Sequence, residues 1–324
     1  MAVALVTGIS GQDGSILSES LRADGYEVHG LVRSADAGSL EELKQRGAIL
    51  HEVDLTDLDE VNGVVIDVAP DEVYSLASIS SVFQSWQAPV DTARVNGLTV
   101  VQLLSSIRAL QRATGSSPHF VHASSAEIFG NPSASPQSES TPIAPVSPYG
   151  AAKAFAHQMV QVFRAEGVRA SNCILYNHES TRRPPSFVTR KITQAAAAIA
   201  YGEQETLTLG TLETRRDWGW APDYVDALRR TARGQTGDDF VIATGETHSI
   251  ADFVEAAFAR VGISDWRSRV SVDSSLSRPA DPLELRGDAT KARTSLDWKP
   301  TKTFKDIVAA MVDADLAGLE QRKR

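Results

Sequence analysis

The sequence contains one cysteine, Cys173, among its 324 residues. A single thiol excludes an intramolecular disulfide framework and a cysteine-cluster metal site, and it suits a reducing compartment. No run of about 18 apolar residues is present, which argues against a transmembrane helix. The N-terminus also lacks a basic segment followed by an apolar stretch and a cleavage site. We therefore expect a soluble, cytoplasmic protein with no metal site and no membrane partner.

An excess of basic residues is also missing. Lys and Arg number 32 against 41 Asp and Glu, which gives a formal net charge of −9. Such a chain is a poor candidate for a nucleic-acid binder, although a local basic pocket can still hold a phosphorylated small molecule. Hydrophobic residues make up 42% of the chain and charged residues 23%, as in ordinary globular proteins. The length of 324 residues is enough for one large domain or two fused domains.

Short apolar runs alternate with helical patterns through the first half of the chain. Residues 3–7 form a continuous apolar run, which is typical of a strand buried on both faces. Further strands are predicted at 27–32, 49–53, 72–76 and 119–123, with helical stretches between them. Strands separated by helices predict an α/β fold with a Rossmann-type, doubly wound parallel sheet.

A glycine-rich turn joins the first predicted strand to the first predicted helix. Gly8, Gly11 and Gly14 have the spacing of a dinucleotide-binding turn, in which glycines permit a tight bend and close approach of a pyrophosphate. The free amides at the start of the helix favour phosphate. Glycines at this spacing also occur by chance, so a plain strand-to-helix turn is the alternative. The surrounding strand and helix favour dinucleotide binding.

The residues after the second predicted strand distinguish the two nicotinamide cofactors. An NAD site usually has a carboxylate at this point, which binds the ribose 2′-hydroxyl. This chain has Arg33 and Ser34 here, and the next carboxylate is Asp36. These residues favour a 2′-phosphate and therefore NADP, unless Arg33 is simply a solvated surface side chain.

Four polar side chains form a candidate catalytic set. Tyr149 and Lys153 share one face of a predicted helix. Lys153 and an oxidised nicotinamide would lower the pKa of Tyr149 from about 10 toward neutrality, which would make it a general base. Ser125 and Glu127 follow the strand at 119–123, at the sheet edge where open α/β proteins keep their sites. The Tyr–Lys spacing is common by chance, but its combination with Ser125, Glu127 and the glycine turn predicts an enzyme.

These motifs together resemble the GDP-mannose 4,6-dehydratase family, within the extended short-chain dehydrogenase/reductases that act on nucleotide sugars. The Gln12-Asp13 pair inside the glycine turn is similar to this family rather than to relatives with an aromatic residue there. The resemblance covers nearly the whole chain. Its other segments are residues 70–74, 124–130, 147–153, 176–180, 187–192, 216–219, 242–246 and 287–292.

The resemblance implies a hydro-lyase of deoxysugar biosynthesis, which converts GDP-D-mannose to GDP-4-keto-6-deoxy-D-mannose with NADP. Tyr149 would take the proton of the sugar 4-hydroxyl, while Lys153 orients the cofactor ribose. Glu127 would move the C5 proton to the departing 6-hydroxyl, and Ser125 would hydrogen-bond the 4-oxygen. We also expect a homodimer or a homotetramer.

The resemblance further implies two sets of binding residues. The expected cofactor contacts are Gly8, Ser10, Gly11, Gln12, Asp13, Gly14, Arg33, Ser34, Asp54, Leu55, Leu76, Ala77, Ser78, Tyr149, Lys153, His178 and Arg183. The expected substrate contacts are Ser125, Asn177, Lys191, Arg216 and Arg278. For Arg183 and Lys191, ordinary solvated side chains are the alternative interpretation.

The predicted domains are interleaved in sequence. Residues 1–178 are expected to form the NADP-binding Rossmann domain, with later segments, about 210–250, returning to it. Residues 179–320 would form mainly a smaller C-terminal substrate-binding cap. A hairpin is predicted around residues 207–210.

Two other functions are compatible with parts of the pattern. A reductase or an epimerase could act on a related nucleotide-activated sugar with the same fold, and a weakly catalytic NADP-binding protein could serve as a sensor or scaffold. Residues 78–81 lack a glutamine that relatives carry, which leaves the exact sugar open. Glu127 and the Gln12-Asp13 pair favour the dehydratase.

Overall fold

The computed structural model describes residues 1–33, 37–276 and 281–322, and Ser34 and Arg278 lie outside this described part. Its strands are β1 (Val3–Thr7), β2 (Glu27–Val32), β3 (Ile49–Glu52), β4 (Glu72–Ser75), β5 (His119–Ser125), β6 (Ala170–Leu175), β7 (Asn177–Glu179), β8 (Leu207–Leu209), β9 (Arg215–Arg216), β10 (Trp218–Trp220), β11 (Asp239–Ile242), β12 (His248–Ser249), β13 (Val270–Val272) and β14 (Glu284–Leu285).

The helices include several that the sequence patterns did not predict, among them two short ones before residue 94. They are α1 (Gln12–Ala23), α2 (Ala37–Gln45), α3 (Leu58–Val68), α4 (Val82–Gln87), α5 (Pro89–Ala93), α6 (Thr99–Thr114), α7 (Pro148–Ala165), α8 (Val188–Ala200), α9 (Ala221–Ala232), α10 (Ile250–Arg260), α11 (Thr290–Ser295) and α12 (Phe304–Arg322). A π-helical turn covers Arg94–Leu98, and 3₁₀ turns cover Ala126–Phe129, Trp266–Arg269 and Ser274–Leu276.

Seven strands form one parallel sheet in the order β11-β6-β5-β4-β1-β2-β3. This order confirms the predicted Rossmann-type, doubly wound fold. Strands β2 and β4 flank β1 on opposite sides, so the chain order reverses at β1. Open α/β sheets bind ligands in the crevice at the carboxyl ends of the strands at such a reversal. The turn after β1 and the segment after β4 both lie at this edge.

Burial on both faces explains the apolar run in β1. Ala4 and Val6 pack on one face of the sheet in a cluster with Leu17 of α1, while Leu5 faces the other side in a cluster with Leu104 of α6. All five side chains are fully buried. Because helices cover both faces, the strand needs no alternation of polar and apolar residues.

A separate apolar core forms the cap. Ile192 of α8, Trp218 of β10, Phe253 of α10 and Met311 of α12 belong to this core and are fully buried. Two elements that come between β10 and α10 in the chain do not join this core. Helix α9 packs against α1, β5 and β6, and strand β11 pairs with β6. A later part of the chain therefore lies in the Rossmann layers, while the exact domain boundaries stay a prediction.

The predicted hairpin at 207–210 is wrong. Strand β8 pairs in parallel with β13, which comes from a distant part of the chain. Leu207 and Leu209 are buried in the cap core, so burial and not a local turn places this strand. Over the described ranges 1–33, 37–276 and 281–322, none of the helices has the length and apolar character to cross a bilayer.

Candidate functional site

The glycine turn after β1 has the geometry that its sequence predicts. Gly8 has a φ of +70°, a left-handed conformation that favours glycine, and its carbonyl accepts the Gly11 amide at 3.0 Å. A Cβ at Gly8 would lie 2.7 Å from the amide nitrogen of Ala77. A Cβ at Gly14 would collide with the Gly8 carbonyl. These positions therefore need glycine for the turn and for close packing of α1.

The start of α1 is open to a ligand. Gly11 occupies the cap position and has no side chain to cap the first-turn amides, whereas Ser147 and Ser249 cap α7 and α10. Ser10 and Gly11 are exposed. A cavity of about 270 Å³ adjoins the turn and is lined by Ser10, Gly11, Gln12, Ser15, Glu42, Leu43, Arg46 and Arg182. Free amides at a helix start fit a phosphate group.

Gln12 and Asp13 connect the turn to the segment after β6. The Asp13 carboxylate accepts from Nε2 of His178 at 2.8 Å, and Nδ1 of His178 donates to the Tyr176 carbonyl at 2.7 Å. The Gln12 amide donates to the His178 carbonyl at 3.2 Å and accepts from the Ser180 hydroxyl at 2.9 Å. The two family-specific residues of the turn therefore bind the family-like segment 176–180 directly.

Mutual attraction sets the charge states of Asp13 and His178. Burial acts against the charge on each side chain, and the interaction between the two outweighs it. The pKa of Asp13 is lowered and the pKa of His178 is raised as a result. Both shifts favour the ionised pair, and both ring nitrogens of His178 face an acceptor.

Arg33 and Asp54 lie close together at the edge where β2 and β3 end. Arg33 is exposed, and Asp54 accepts from the amide and hydroxyl of Thr56 at 2.9 and 2.8 Å. Those hydrogen bonds, with a smaller effect of the Arg33 charge, lower the pKa of Asp54. Leu55 is 9% exposed and packs in the core, so any adenine contact there would use its backbone. The predicted neighbour of Arg33, Ser34, lies outside the described residues.

Two residues that the sequence patterns missed hold the segment after β4. The Thr7 hydroxyl accepts from the amides of Leu76 and Ala77, both at 3.1 Å. Asn96 is fully buried in the π-helical turn, and its side chain accepts from the Ser78 hydroxyl at 3.2 Å. The Asn96-Gly97 step interrupts a predicted helix, and this was the signal that could have revealed it.

Ser125, Glu127 and Tyr149 come together at the carboxyl end of β5. Ser125 ends β5, and its hydroxyl oxygen accepts from the Glu127 amide at 3.2 Å. A Cβ at Gly150 would lie 2.6 Å from the Glu127 carbonyl oxygen, so glycine lets α7 start against this turn. The Ser125 hydroxyl also hydrogen-bonds Tyr149. Lys153 follows on α7, with 2% of its surface exposed.

Burial is the strongest influence on Tyr149 and raises the pKa of its phenol to about 12. Hydrogen bonds from Ser125 and Ser78 and the charge of Arg183 act in the opposite direction, while the Glu127 carboxylate adds to the increase. Tyr149 is therefore a neutral phenol at neutral pH in this structure.

Burial outweighs the influences that lower the pKa of Tyr149, and the expected lowering by Lys153 together with an oxidised nicotinamide stays a prediction. The Lys153 ammonium donates to the carbonyl of Ala123 at 2.9 Å. Burial lowers the pKa of Lys153 to about 8. Tyr149 and Lys153 lie close together on one helix, and burial is the largest influence on the pKa of each.

Arg183 is held by a carboxylate that the sequence patterns did not single out. Its guanidinium lies 3.1 Å from Glu179 and 3.7 Å from the centre of the Phe187 ring. Glu179 is 1% exposed and also accepts from the Thr189 hydroxyl at 2.7 Å. Burial raises the pKa of Glu179 despite the nearby Arg183. These contacts anchor the loop at 181–187, whose irregular structure agrees with the prediction.

The expected substrate residues lie in the cap and at its junction with the sheet. Asn177 begins β7, which pairs with β10, and it is half-buried. Lys191 is exposed on α8 and donates to the Thr208 carbonyl at 2.7 Å. It also lines a cavity of about 580 Å³ between α8, β8 and α12.

Arg216 is a buried cation, with 4% of its surface exposed. Its guanidinium donates to the Pro282 carbonyl at 2.8 Å and to the Asp281 carboxylate at 2.7 Å. Arg278, the other expected cationic contact near this part of the sequence, lies outside the described residues.

Comparison with known proteins identifies relatives along nearly the whole chain. A family model described as GDP-mannose 4,6 dehydratase matches residues 5–311. The chain is 41% identical to GDP-mannose 4,6 dehydratase 2 of Arabidopsis thaliana over 99% of this chain and 88% of that protein. It is 41% identical to the Homo sapiens GDP-mannose 4,6 dehydratase, over 97% of this chain and 91% of the relative.

Solved structures share the fold at lower identity. A UDP-glucose 4-epimerase of Thermus thermophilus, in complex with NAD, has a TM-score of 0.84 and 26% identity, over 97% of this chain and 98% of that one. The structure of RMD from Pseudomonas aeruginosa complexed with NADPH has a TM-score of 0.80 and 22% identity, over 98% of this chain and 100% of that one, and supports the fold alone.

Proposed function

Since the chain belongs to the GDP-mannose 4,6-dehydratase family, we propose that it converts GDP-D-mannose to GDP-4-keto-6-deoxy-D-mannose with NADP as a recycled cofactor. The observation that carries this proposal is the position of Glu127 beside Ser125 and Tyr149. A Ser–Tyr–Lys set alone supports oxidation, whereas the elimination of water needs a further acid–base group.

The glycine turn fits a dinucleotide. Gly8 and Gly14 leave room for a tight turn, and the exposed Ser10 and Gly11 precede the uncapped amides of α1. Arg33 would meet a 2′-phosphate, which supports NADP over NAD. A bound nicotinamide supplies the acceptor and the donor for the hydride that the sugar loses and regains.

Tyr149 is the group that would take the proton of the sugar 4-hydroxyl. Its pKa of about 12 means that the phenolate requires added positive charge, and an oxidised nicotinamide beside it carries such a charge. The Ser125 hydroxyl, already hydrogen-bonded to Tyr149, would hold the 4-oxygen. Lys153 is fixed to the Ala123 carbonyl and would orient the cofactor ribose.

Glu127 would carry the elimination. A 4-keto group acidifies the neighbouring C5–H bond, and Glu127 would take that proton and pass it to the 6-hydroxyl as it leaves as water. The Ser125 hydroxyl oxygen accepts from the Glu127 amide, which fixes the 3₁₀ turn at this point. Ser125 and Glu127 at the end of β5 would therefore serve both parts of the reaction, the oxidation at C4 and the elimination of water.

The sugar nucleotide would bind between this edge and the cap. Asn177, Lys191, Arg216 and Arg278 are the proposed contacts, since a diphosphate requires cations. Lys191 and Arg216 donate to chain carbonyls, and Arg216 also pairs with Asp281. The diphosphate of the substrate would compete with these carbonyl and carboxylate oxygens for the side-chain donors of Lys191 and Arg216.

A homo-oligomer is proposed through the surface of α7 and the π-helical turn before α6. Leu98, Phe155 and Val162 are 52%, 42% and 53% exposed there. A Cβ at Gly97 would lie 3.0 Å from the Phe155 ring, so the turn that carries Leu98 packs against Phe155 at Gly97. Light scattering of the wild type and of Phe155→Asp tests this: we expect a dimer or tetramer that the variant weakens, and a monomeric wild type would contradict it.

The proposed reaction can be tested by mass. We expect purified protein with NADP to convert GDP-mannose to a product lighter by one water, without accumulation of reduced cofactor. UDP-glucose and other nucleotide hexoses serve as controls for the base and the sugar. An epimerised product of unchanged mass, or net reduction of a 4-keto sugar, would instead support the epimerase or reductase alternative.

A further inference from the structure

Asp13 places a carboxylate in the first turn of α1. In a dinucleotide site this turn receives the pyrophosphate, whose charge is negative. An uncompensated carboxylate at this position would repel the ligand that the turn is built to hold. The glycine turn therefore contains a residue that needs a partner of positive charge.

His178 is placed to be that partner. Its Nε2 lies 2.8 Å from the Asp13 carboxylate, and its Nδ1 lies 2.7 Å from the carbonyl oxygen of Tyr176. Both partners are acceptors, so both ring nitrogens must carry hydrogen, and the ring is an imidazolium. The Tyr224 ring stacks on it at 4.5 Å between centres, which also favours a cation.

We propose that His178 is a positioning residue that neutralises Asp13, so that the glycine turn presents no net negative charge to the cofactor diphosphate. The neutral hydrogen bonds of Gln12 with His178 and Ser180 hold the same two segments in register. This inference rests on the proposed binding of NADP. It gives the Gln12-Asp13 signature a physical role.

Several charged groups surround His178. Asp13 on α1 and Glu179 on β7 favour the imidazolium, whereas Arg183 in the following loop opposes it. Because the folded pKa of His178 is raised above its ordinary value, the ion pair is complete at pH below about 6.5. The pair is lost as pH rises through the raised pKa, so cofactor affinity should fall there.

A double-mutant cycle separates charge from shape. We expect His178→Gln to weaken NADP binding on the order of tenfold at pH 7, because Asp13 is left unpaired. Asp13→Asn removes both charges, since an asparagine amide can donate to a neutral His178, and its loss of NADP affinity should be smaller than that of His178→Gln. Asp13→Asn combined with His178→Gln should regain most of the affinity lost in His178→Gln. A combined variant as weak as His178→Gln would overturn the proposal.

The protonation state has its own readout. Nitrogen-15 chemical shifts should show an imidazolium at His178 in the wild type at pH 7 and a neutral ring in Asp13→Asn; a neutral ring in the wild type would overturn the proposal. His29→Gln is the matched control, because His29 on β2 also contacts a carboxylate, that of Glu27 at 2.9 Å, but lies outside the expected cofactor contacts; its effect on affinity should be small.

The outcomes also distinguish this inference from the proposed function. A wild-type protein that binds no nicotinamide dinucleotide would overturn both. NADP binding with equal affinity in the wild type and His178→Gln would overturn the charge proposal alone. If His178→Gln does not fold, the pH profile decides: affinity should decline with rising pH in the wild type and stay flat in Asp13→Asn.

Discussion

The two ends of the candidate site are prepared by the chain to different degrees. At the glycine turn, the backbone geometry, the open start of α1 and the hydrogen-bonded Asp13–His178 pair are already in place. At the end of β5, burial keeps Tyr149 a phenol with a pKa of about 12 and lowers the pKa of Lys153 to about 8. The fold thus prepares the proposed cofactor end by itself, whereas the proposed mechanism requires the positive charge of a bound nicotinamide at the Tyr149 end. Cofactor should bind before the sugar reacts.

Tyr149→Phe should break the catalytic end and leave the cofactor end intact. Loss of one hydroxyl removes the base, so turnover should fall by about 10²–10⁴-fold or more. NADP affinity and the unfolding temperature should change little, because the ring remains. Steady-state rates with GDP-mannose and a cofactor titration measure the two effects. A normal rate of 4-keto-6-deoxy product would mean that another residue is the base.

Gly14→Ala should damage the cofactor end through the glycine turn, without a direct change at the catalytic end. The added Cβ would lie 2.6 Å from the Cα of Ile9 and collide with the Gly8 carbonyl, so the turn must distort. We expect about 1–3 kcal/mol lower stability and a large loss of NADP affinity. Gly63→Ala in α3 is the matched control, because a Cβ at Gly63 would meet no atom within 4 Å. Equal effects of the two substitutions would contradict the packing argument.

Arg33→Ala tests, within the cofactor end, whether the protein distinguishes NADP from NAD. Arg33 is exposed and follows β2, so its proposed role is limited to the 2′-phosphate. The affinity for NADP should fall about tenfold, while the affinity for NAD should stay the same. Calorimetry with both cofactors measures the difference. Equal affinities of the wild type for NADP and NAD would remove the basis of the assignment.

Lys153→Met should make the folded protein more stable although it impairs turnover. The fold lowers the pKa of Lys153 from 10.5 to about 8, so the buried ammonium destabilises the protein at pH 7 by about 1–3 kcal/mol. Wild-type stability should rise relative to the variant as pH increases from about 8 toward 10.5. Denaturant unfolding across this range is the measurement.

Lys191→Met is the matched control for this stability effect, because Lys191 is exposed on α8. Its effect should stay within about 0.5 kcal/mol at every pH. A Lys153→Met protein that is less stable than the wild type at pH 7 would show that the ammonium is better accommodated than its burial indicates.

Local patterns predicted the strands β1 to β5 of the sheet, whereas β6 was not predicted. The apolar run of residues 3–7 and the glycine turn after it indicate a buried strand and a tight bend without knowledge of the rest of the chain. The pairing of β8 with β13 is long-range, so the local pattern at 207–210 was read wrongly as a hairpin.

The site was only partly accessible to the same reasoning. Asp13 and His178 were both expected near the cofactor, but their contact joins distant segments and could not be read from spacing. The pKa of Tyr149 depends on burial more than on Lys153, and burial by surrounding layers is a property of the folded molecule. The roles of all these residues stay predictions.

A single-turnover experiment with Glu127→Gln tests most directly whether Tyr149 serves the oxidation and Glu127 the elimination of water. The variant keeps Ser125, Tyr149 and Lys153, so it should still oxidise GDP-mannose but should not eliminate water. Reduced cofactor should then accumulate, up to one equivalent per site, together with a sugar nucleotide that has lost two hydrogens and no water. Wild-type protein should accumulate no reduced cofactor. Formation of the dehydrated product by Glu127→Gln at the wild-type rate would contradict the proposed mechanism.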